Sequence, residues 1–247
     1  MIGRVERYLL DKVRKDGAIH ITLIDPEKVS TKAASHTAQE AETSETSAIM
    51  VGGSTIVSAY NLDKTVKAIK KAVKIPVILF PNNITGISKH ADAIWFMSLL
   101  NSLDPYFLIG AQVLGAPLIK KYDLEAIPLG YIVVGEGAAA GVIGRATPIP
   151  YGKPKLAAAH ALAARYLGMR FVYLEAGSGA RHRVPDDMIS MVKSTDEGPL
   201  IVGGGIRTGE QVKQVVDAGA DIIVTGTVTE ESVVKDKVDE LVKSIKR

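Results

Sequence analysis

The sequence predicts an α/β chain folded as one (β/α)8 barrel, on three observations. Short apolar runs alternate with helix-like segments along the whole chain. Eight of these runs are nearly continuous in apolar residues, as parallel strands covered on both faces should be. The chain has 247 residues, close to the ~250 typical of one such barrel, and no Ser/Pro/Gly tract or charge block marks a linker. A single domain over 1–247 is therefore expected.

In chain order, strands are read at Ala18–Ile24, Ala48–Val51, Val77–Phe80, Ala93–Met97, Leu129–Val134, Phe171–Leu174, Leu200–Val202 and Ile222–Val224. The crossover segments with helical character are Ser30–Glu45, Leu62–Ala72, Pro105–Leu118, Lys155–Leu167, Pro185–Lys193, Thr208–Ala218 and Glu230–Ile245. Parallel strands joined by such crossovers form a sheet, and eight can close into a barrel. One connection breaks the pattern. Only Asn83–His90 separates the third and fourth strands, too little for a helix and two loops. The barrel is thus expected with its third helix replaced by a short non-helical stretch.

Composition removes several function classes. Without cysteine, disulfides, thiolate metal sites and cysteine nucleophiles are excluded. A net charge of +3 with dispersed basic residues gives no nucleic-acid footprint. The N-terminus, MIGRVERYLLDKVRKDG, is charged throughout and is no signal peptide. The longest apolar stretch, Ala126 to Gly144, carries Glu136 and many glycines and falls short of a membrane span. A cytoplasmic location is expected.

In this architecture chemistry gathers where strands end. The seventh strand ends in Gly203-Gly204-Gly205 and the eighth in Thr225-Gly226-Thr227. Adjacent glycine-rich strand ends bring backbone N–H groups onto one phosphate, the alternative being two tight turns. The first strand ends Ile24-Asp25-Pro26-Glu27-Lys28. Asp25 there is either a hard oxygen donor for Mg²⁺ or an Asx-turn residue. The second ends Val51-Gly52-Gly53-Ser54-Thr55, where the Ser54 hydroxyl either joins Asp25 around a cation or caps a helix.

The sixth strand leads into Tyr173-Leu174-Glu175-Ala176-Gly177-Ser178-Gly179. Tyr173 and Glu175 share a face by the period of two. A carboxylate facing a barrel mouth suits a substrate hydroxyl or its proton. Phe80, Trp95, Phe96 and Leu99 cluster around the short third connection, as core packing or as the lining of an apolar groove. Gly135–Gly141 is a plastic loop, a lid or a flexible surface segment. Arg181-His182-Arg183 is a solvated basic turn or a diphosphate attractor, and His20 belongs to the barrel wall.

The segments HITLIDPEK (His20–Lys28), IMVGGS (Ile49–Ser54), YLEAGSGA (Tyr173–Ala180), VGGGIRTGEQ (Val202–Gln211) and IIVTGT (Ile222–Thr227) together resemble the geranylgeranylglyceryl phosphate synthase family, relatives of the bacterial heptaprenylglyceryl phosphate synthases. The resemblance spans the chain in order. It implies a barrel with its third helix replaced, and a Mg²⁺-dependent prenyltransferase that joins the 3-hydroxyl of sn-glycerol 1-phosphate to geranylgeranyl diphosphate or a longer polyprenyl donor. It places the metal at Asp25 and Ser54. It places the glycerol phosphate at Tyr173 through Gly179 (Tyr173, Leu174, Glu175, Ala176, Gly177, Ser178, Gly179), then Gly204 and Gly205, then Gly226 and Thr227.

Glu175 would orient the acceptor or take its proton, with Tyr173 beside it. Leu23 and Thr227 depart from residues found in part of the family, and Thr43–Ser47 lacks the glycine common in relatives there, which bears on a helix end. The resemblance further implies a homo-oligomer, a hexamer before a dimer; the apolar segment Asn101–Leu118, with Tyr106 and Phe107, either packs against a partner copy or faces inward under the barrel strands. Two other readings share the glycine turns: a sugar-phosphate isomerase or epimerase, and a non-catalytic phospho-ligand binder. The first needs a further acid/base or a His cluster that His20, His36, His90, His160 and His182 do not form by spacing.

Overall fold

The computed structural model describes residues 2–53, 58–226 and 234–245. Among them, eight parallel strands close a barrel in sequence order. They are β1 Ile19–Ile24, β2 Ala48–Gly52, β3 Val77–Phe80, β4 Ala93–Leu99, β5 Glu125–Val133, β6 Phe171–Glu175, β7 Leu200–Gly203 and β8 Ile222–Thr225. Closure is made by β8 against β1, with Ile19 opposite Ile222 and Thr22 opposite Thr225.

Alternate residues divide between two environments, which explains the unbroken apolar runs. Ile21, Met50, Ile78, Trp95, Leu129, Phe171 and Ile201 fill the barrel interior. Ile49, Val51 and Leu79 face α2 (Thr31–Thr43) and α3 (Ala59–Ala72). Val172, Leu174, Val202 and Ile223 meet α6 (Pro154–Tyr166), α7 (Asp186–Thr195) and α8 (Gly209–Asp217). The described part of the last crossover helix, Val234–Lys243, adds Val238 to the layer over β1 and β2.

Three local differences from the sequence expectation have physical causes. β5 starts at Glu125, upstream of Pro128, which a strand interior normally rejects. Its carbonyl accepts from Arg170 N at 3.2 Å, so its nitrogen faces the same side, ahead of the start of β6 at Phe171 where no ladder bond is lost. The charged N-terminus forms a helix, α1 (Arg4–Asp16), which plugs the barrel's N-terminal end with Val5 and Leu9. Glu125 caps it by accepting from the N–H groups of Val5 and Glu6, each at 2.8 Å, and buried Glu6 pairs with Arg170. Third, Pro105–Leu118 is not one regular helix. A π-helical turn, Tyr106–Gly110, precedes α4 (Ala111–Lys121).

The third connection is as short as expected. Between β3 and β4 the chain makes only a 3₁₀ turn, Ile84–Gly86, capped by the Asn83 side chain accepting from Thr85 N at 2.7 Å.

The helix end without the familial glycine also shows its consequence. After α2, Glu45 takes φ 64°, the left-handed conformation that costs an L-residue free energy. Glu45→Gly is expected to raise stability by roughly 0.5–1 kcal/mol, seen as a higher denaturant midpoint at unchanged slope. A lower midpoint would show that the Glu45 side chain contributes more than the backbone costs.

Candidate active site

The C-terminal ends of the strands enclose two adjoining cavities. One is polar and is lined by Asp25, Lys28, Glu175, Ser178, Gly204 and Gly226, with their strand-end neighbours. The other is an apolar groove lined by Phe80, Trp95, Phe96, Leu99, Phe107 and Ala111, among others. Gly53, Phe80, Tyr131 and Ala140 line both, so the cavities meet there.

Glu175 is the last residue of β6 and is buried, 6% exposed. Its Oε1 accepts from Gly177 N at 2.6 Å, and its carboxylate accepts from the Tyr173 hydroxyl. Burial pushes its pKa above the ordinary carboxylate value, and these two donors oppose the rise. Gly204 lies directly against it. With φ 83°, a Cβ at Gly204 would stand 2.5 Å from Glu175 Oε1 and 2.6 Å from Gly177 N. The glycine therefore lets the β7 turn close on the carboxylate, which a larger residue would prevent. Arg207 ties the same turn to β6 by donating to Ala180 O at 2.8 Å and Gly179 O at 3.3 Å.

Asp25 shows both features that the sequence left open. Its Oδ1 accepts from Glu27 N at 3.0 Å, an Asx turn. The same carboxylate packs against Gly53, occupying the space a Cβ there would need. It thereby reaches the point where the two cavities join. No group of three or more His, Cys, Asp or Glu residues positioned for a metal occurs among the described residues. A carboxylate at the mouth, as Asp25 is, suits Mg²⁺, which keeps waters and shares substrate phosphates instead of sitting in a protein cage. Ser54 and Thr227 lie outside the described residues.

The groove unites the two alternatives for the aromatic cluster. Trp95 is fully buried in the barrel interior, edge-on to Phe171 at 5.2 Å, and donates from Nε1 to Met50 Sδ at 3.2 Å. It also forms part of the groove floor. Phe96 points to the outer side of β4, so the groove passes over the top of that strand. Its volume is about 110 Å³, room for part of a long hydrocarbon chain. The π-helical turn forms one wall. It is fastened to β4 by Ser98 Oγ donating to Leu108 O at 2.7 Å and by Gln112 Nε2 donating to the carbonyls of Met97 and Phe107.

The candidate residues separate by face. Tyr173, Glu175, Ser178, Gly179, Gly204, Gly205 and Gly226 line the polar pocket. The side chains of Leu174 and Ala176 do not, which leaves only their backbone to contribute to a site there. The period of two turns both outward into the core under the helices. Gly177 is likewise absent from the lining, its N–H being engaged by Glu175. The plastic loop is in part helical, α5 (Ala138–Ile143), and its Ala140 stands over the junction. Arg183 is held by Asp186 at 2.6 Å and Gln214 at 2.7 Å, so the basic turn is structural at that residue. His20 is in the wall as expected, between Thr46 and Thr225.

Tyr131 was not legible. It opposes Tyr173 in the ladder, and Phe80, Tyr131 and Tyr173 form a ring cluster with centroids 5.2–5.7 Å apart. An interior-facing tyrosine one layer below the end of β5 was the available signal.

Residues 11–245 match the PcrB family. The geranylgeranylglyceryl phosphate synthase of Pyrococcus furiosus is 58% identical over 93% of this chain and 91% of its own. That of Thermofilum pendens is 55% identical over 94% of this chain and 91% of its own. The crystal structure of (S)-3-O-geranylgeranylglyceryl phosphate synthase from Thermoplasma acidophilum, in complex with its substrate sn-glycerol-1-phosphate, superposes with a TM-score of 0.95 at 43% identity, covering 100% of this chain and 99% of that one.

The burial of Glu175 has a stability signature. A carboxylate whose pKa is raised in the fold holds its proton more tightly there than in the unfolded chain. Stability then falls as pH rises from the ordinary carboxylate value through the folded one. Glu175→Gln removes that charge while keeping the acceptor for Gly177 N. It is expected to raise the melting temperature at neutral pH and flatten its dependence on pH in that window. A lower melting temperature at neutral pH would show that the ionised carboxylate is not a burden on the fold.

Proposed function

The chain belongs to the PcrB family, and from that premise we propose that it joins the 3-hydroxyl of sn-glycerol 1-phosphate to C1 of geranylgeranyl diphosphate, forming an ether and releasing diphosphate. The observation that carries this reading is the meeting of a glycine-edged polar pocket and an apolar groove at Gly53, Phe80, Tyr131 and Ala140. A diphosphate-headed hydrocarbon needs both environments with its reactive carbon between them.

Each residue then has a task. Backbone N–H groups around Gly204, Gly205, Gly226 and Thr227 would hold the acceptor phosphate, as strand-end turns do in phosphate-binding barrels. Positioning of this kind contributes up to roughly 7–11 kcal/mol in ideal cases. Glu175 orients the glycerol hydroxyls and receives the proton as the new C–O bond forms, and its raised pKa suits that role. The bond from C1 to the diphosphate oxygen breaks with its electron pair, which leaves on diphosphate. Phe80, Tyr131 and Tyr173 face the allylic carbon and keep water from it.

Asp25, with Ser54, would hold Mg²⁺, which when bound neutralises charge growing on the leaving oxygens. Burial of the tail in the groove contributes about 0.8 kcal/mol per methylene. The two other enzyme and binding readings lack support here. None of the five histidines lines the polar pocket, and the pocket holds carboxylates from two strands.

We place the reaction in the cytoplasm; among the described residues no helix is long and apolar enough to cross a membrane. For assembly the proposal is a homo-oligomer, a hexamer before a dimer. Within Asn101–Leu118, Phe107 turns inward to the groove, whereas Leu103, Ile109, Val113 and Leu114 point outward and are 59–78% exposed, an apolar surface suited to a partner copy. Light scattering at low micromolar concentration should give a multiple of the chain mass, and a single-chain mass would remove the oligomer from the proposal.

Incubating the protein with sn-glycerol 1-phosphate, Mg²⁺ and labelled geranylgeranyl diphosphate should yield an acid-stable lipid. No product with any prenyl length would favour a phospho-ligand binder. Asp25→Ala should abolish turnover while glycerol phosphate still binds by calorimetry. Loss of glycerol phosphate binding with prenyl transfer intact would remove Asp25 from the metal.

A further inference from the structure

Lys28 is the one lysine or arginine among the described residues that line the polar pocket. Its placement follows from the turn after β1. Asp25 Oδ1 accepts from Glu27 N at 3.0 Å, and Asp25 O accepts from Lys28 N at 3.1 Å, a tight turn from which both Asp25 and Lys28 line the pocket.

The charge balance of the pocket gives this lysine a task. Its own carboxylates, Asp25 and Glu175, are acidic, and both proposed ligands are polyanions. The acceptor phosphate can be met by the glycine backbone at β7 and β8. The diphosphate must lie at the other side, near Asp25 and Gly53, because its C1 has to sit at the junction with the groove. One divalent ion does not balance a diphosphate that gains charge as its bond to carbon breaks. An ammonium group is a compact donor suited to several phosphate oxygens at once.

We propose that Lys28 binds the diphosphate of the prenyl donor and stabilises it as a leaving group, a catalytic residue for which sequence gave no role. The step is complete without further reactants. The electron pair of the C1–O bond passes to the diphosphate oxygen, Lys28 keeps its proton and neutralises part of the new charge, and the acceptor's proton goes to Glu175. The assignment rests on the ether-forming reading above.

Calorimetric titration with inorganic diphosphate, with and without Mg²⁺, tests it apart from turnover. Lys28→Met is expected to weaken diphosphate binding by at least about tenfold in both conditions, the scale of one lost charge-assisted hydrogen bond. Lys28→Arg should recover most of the loss, and the affinity for sn-glycerol 1-phosphate should stay within about twofold, since no hydrogen bond to that ligand is removed. Unchanged diphosphate affinity in Lys28→Met, or a loss for glycerol phosphate as large as for diphosphate, would overturn the proposal. A wild-type protein that binds diphosphate yet forms no ether would contradict the ether-forming reading, and the role of Lys28 as leaving-group stabiliser with it. A wild-type protein that forms ether beside an unaltered Lys28→Met would contradict Lys28 alone.

Discussion

The short link between β3 and β4 is the constraint on which the site depends. From Pro81 to Asp92 the chain has room for a 3₁₀ turn and no helix, so no helix of that crossover covers the outer faces of Ile94 and Phe96; Ile94 is buried all the same, and Phe96 only partly. α4 covers part of them from the next crossover, with Gly115 lying against Ile87 at the spacing a methyl group would fill, 3.2 Å from Ile87 Cδ1. What remains is a groove that runs from the barrel mouth over β4. The π-helical turn, held to β4 by Ser98 and Gln112, forms a wall of that groove through Phe107. Such turns occur frequently at functional sites.

The rest of the mouth supplies what the groove lacks. At β6, β7 and β8 the strand ends are glycine-rich and polar, and Glu175 is the buried charge on that side. Its cost in stability is the counterpart of its chemistry: burial makes the carboxylate a better proton acceptor than one in solution, even against the opposing donors Gly177 N and Tyr173. The aromatic cluster of Phe80, Tyr131 and Tyr173 stands between that acid and the groove. The fold thus brings a wet, anion-seeking end and a dry, hydrocarbon-seeking end to one carbon.

Much of this was legible in the sequence because its physical cause is local. Burial on both faces makes parallel strands read as apolar runs, and the short third link is a matter of residue count. Phe80, Trp95, Phe96 and Leu99 reach the groove because that link leaves it open. Less was legible where the cause is tertiary. α1 carries an apolar stripe, Val5, Tyr8, Leu9 and Val13, at helical spacing among its charges, and only packing shows that Val5 and Leu9 enter the barrel. Leu174 and Ala176 enter the site stretch only through the family resemblance, and strand alternation sends their side chains to the opposite layer from Tyr173 and Glu175. Tyr131 was hidden inside an apolar run, and its value appears only in register with Tyr173. Pro128 hid the start of β5 because its tolerance depends on where β6 begins.

The central claim is that the acceptor in the glycine-edged pocket and the tail in the groove meet at the junction of the two. A crystal structure with sn-glycerol 1-phosphate and an unreactive thio-analogue of geranylgeranyl diphosphate measures this directly. The account predicts the tail passing over β4 between Phe96 and the π-helical turn, with C1 roughly 3–3.5 Å from the glycerol 3-hydroxyl beside Glu175. A tail lying outside the groove, or a hydroxyl directed away from Glu175 with C1 out of reach, would contradict it.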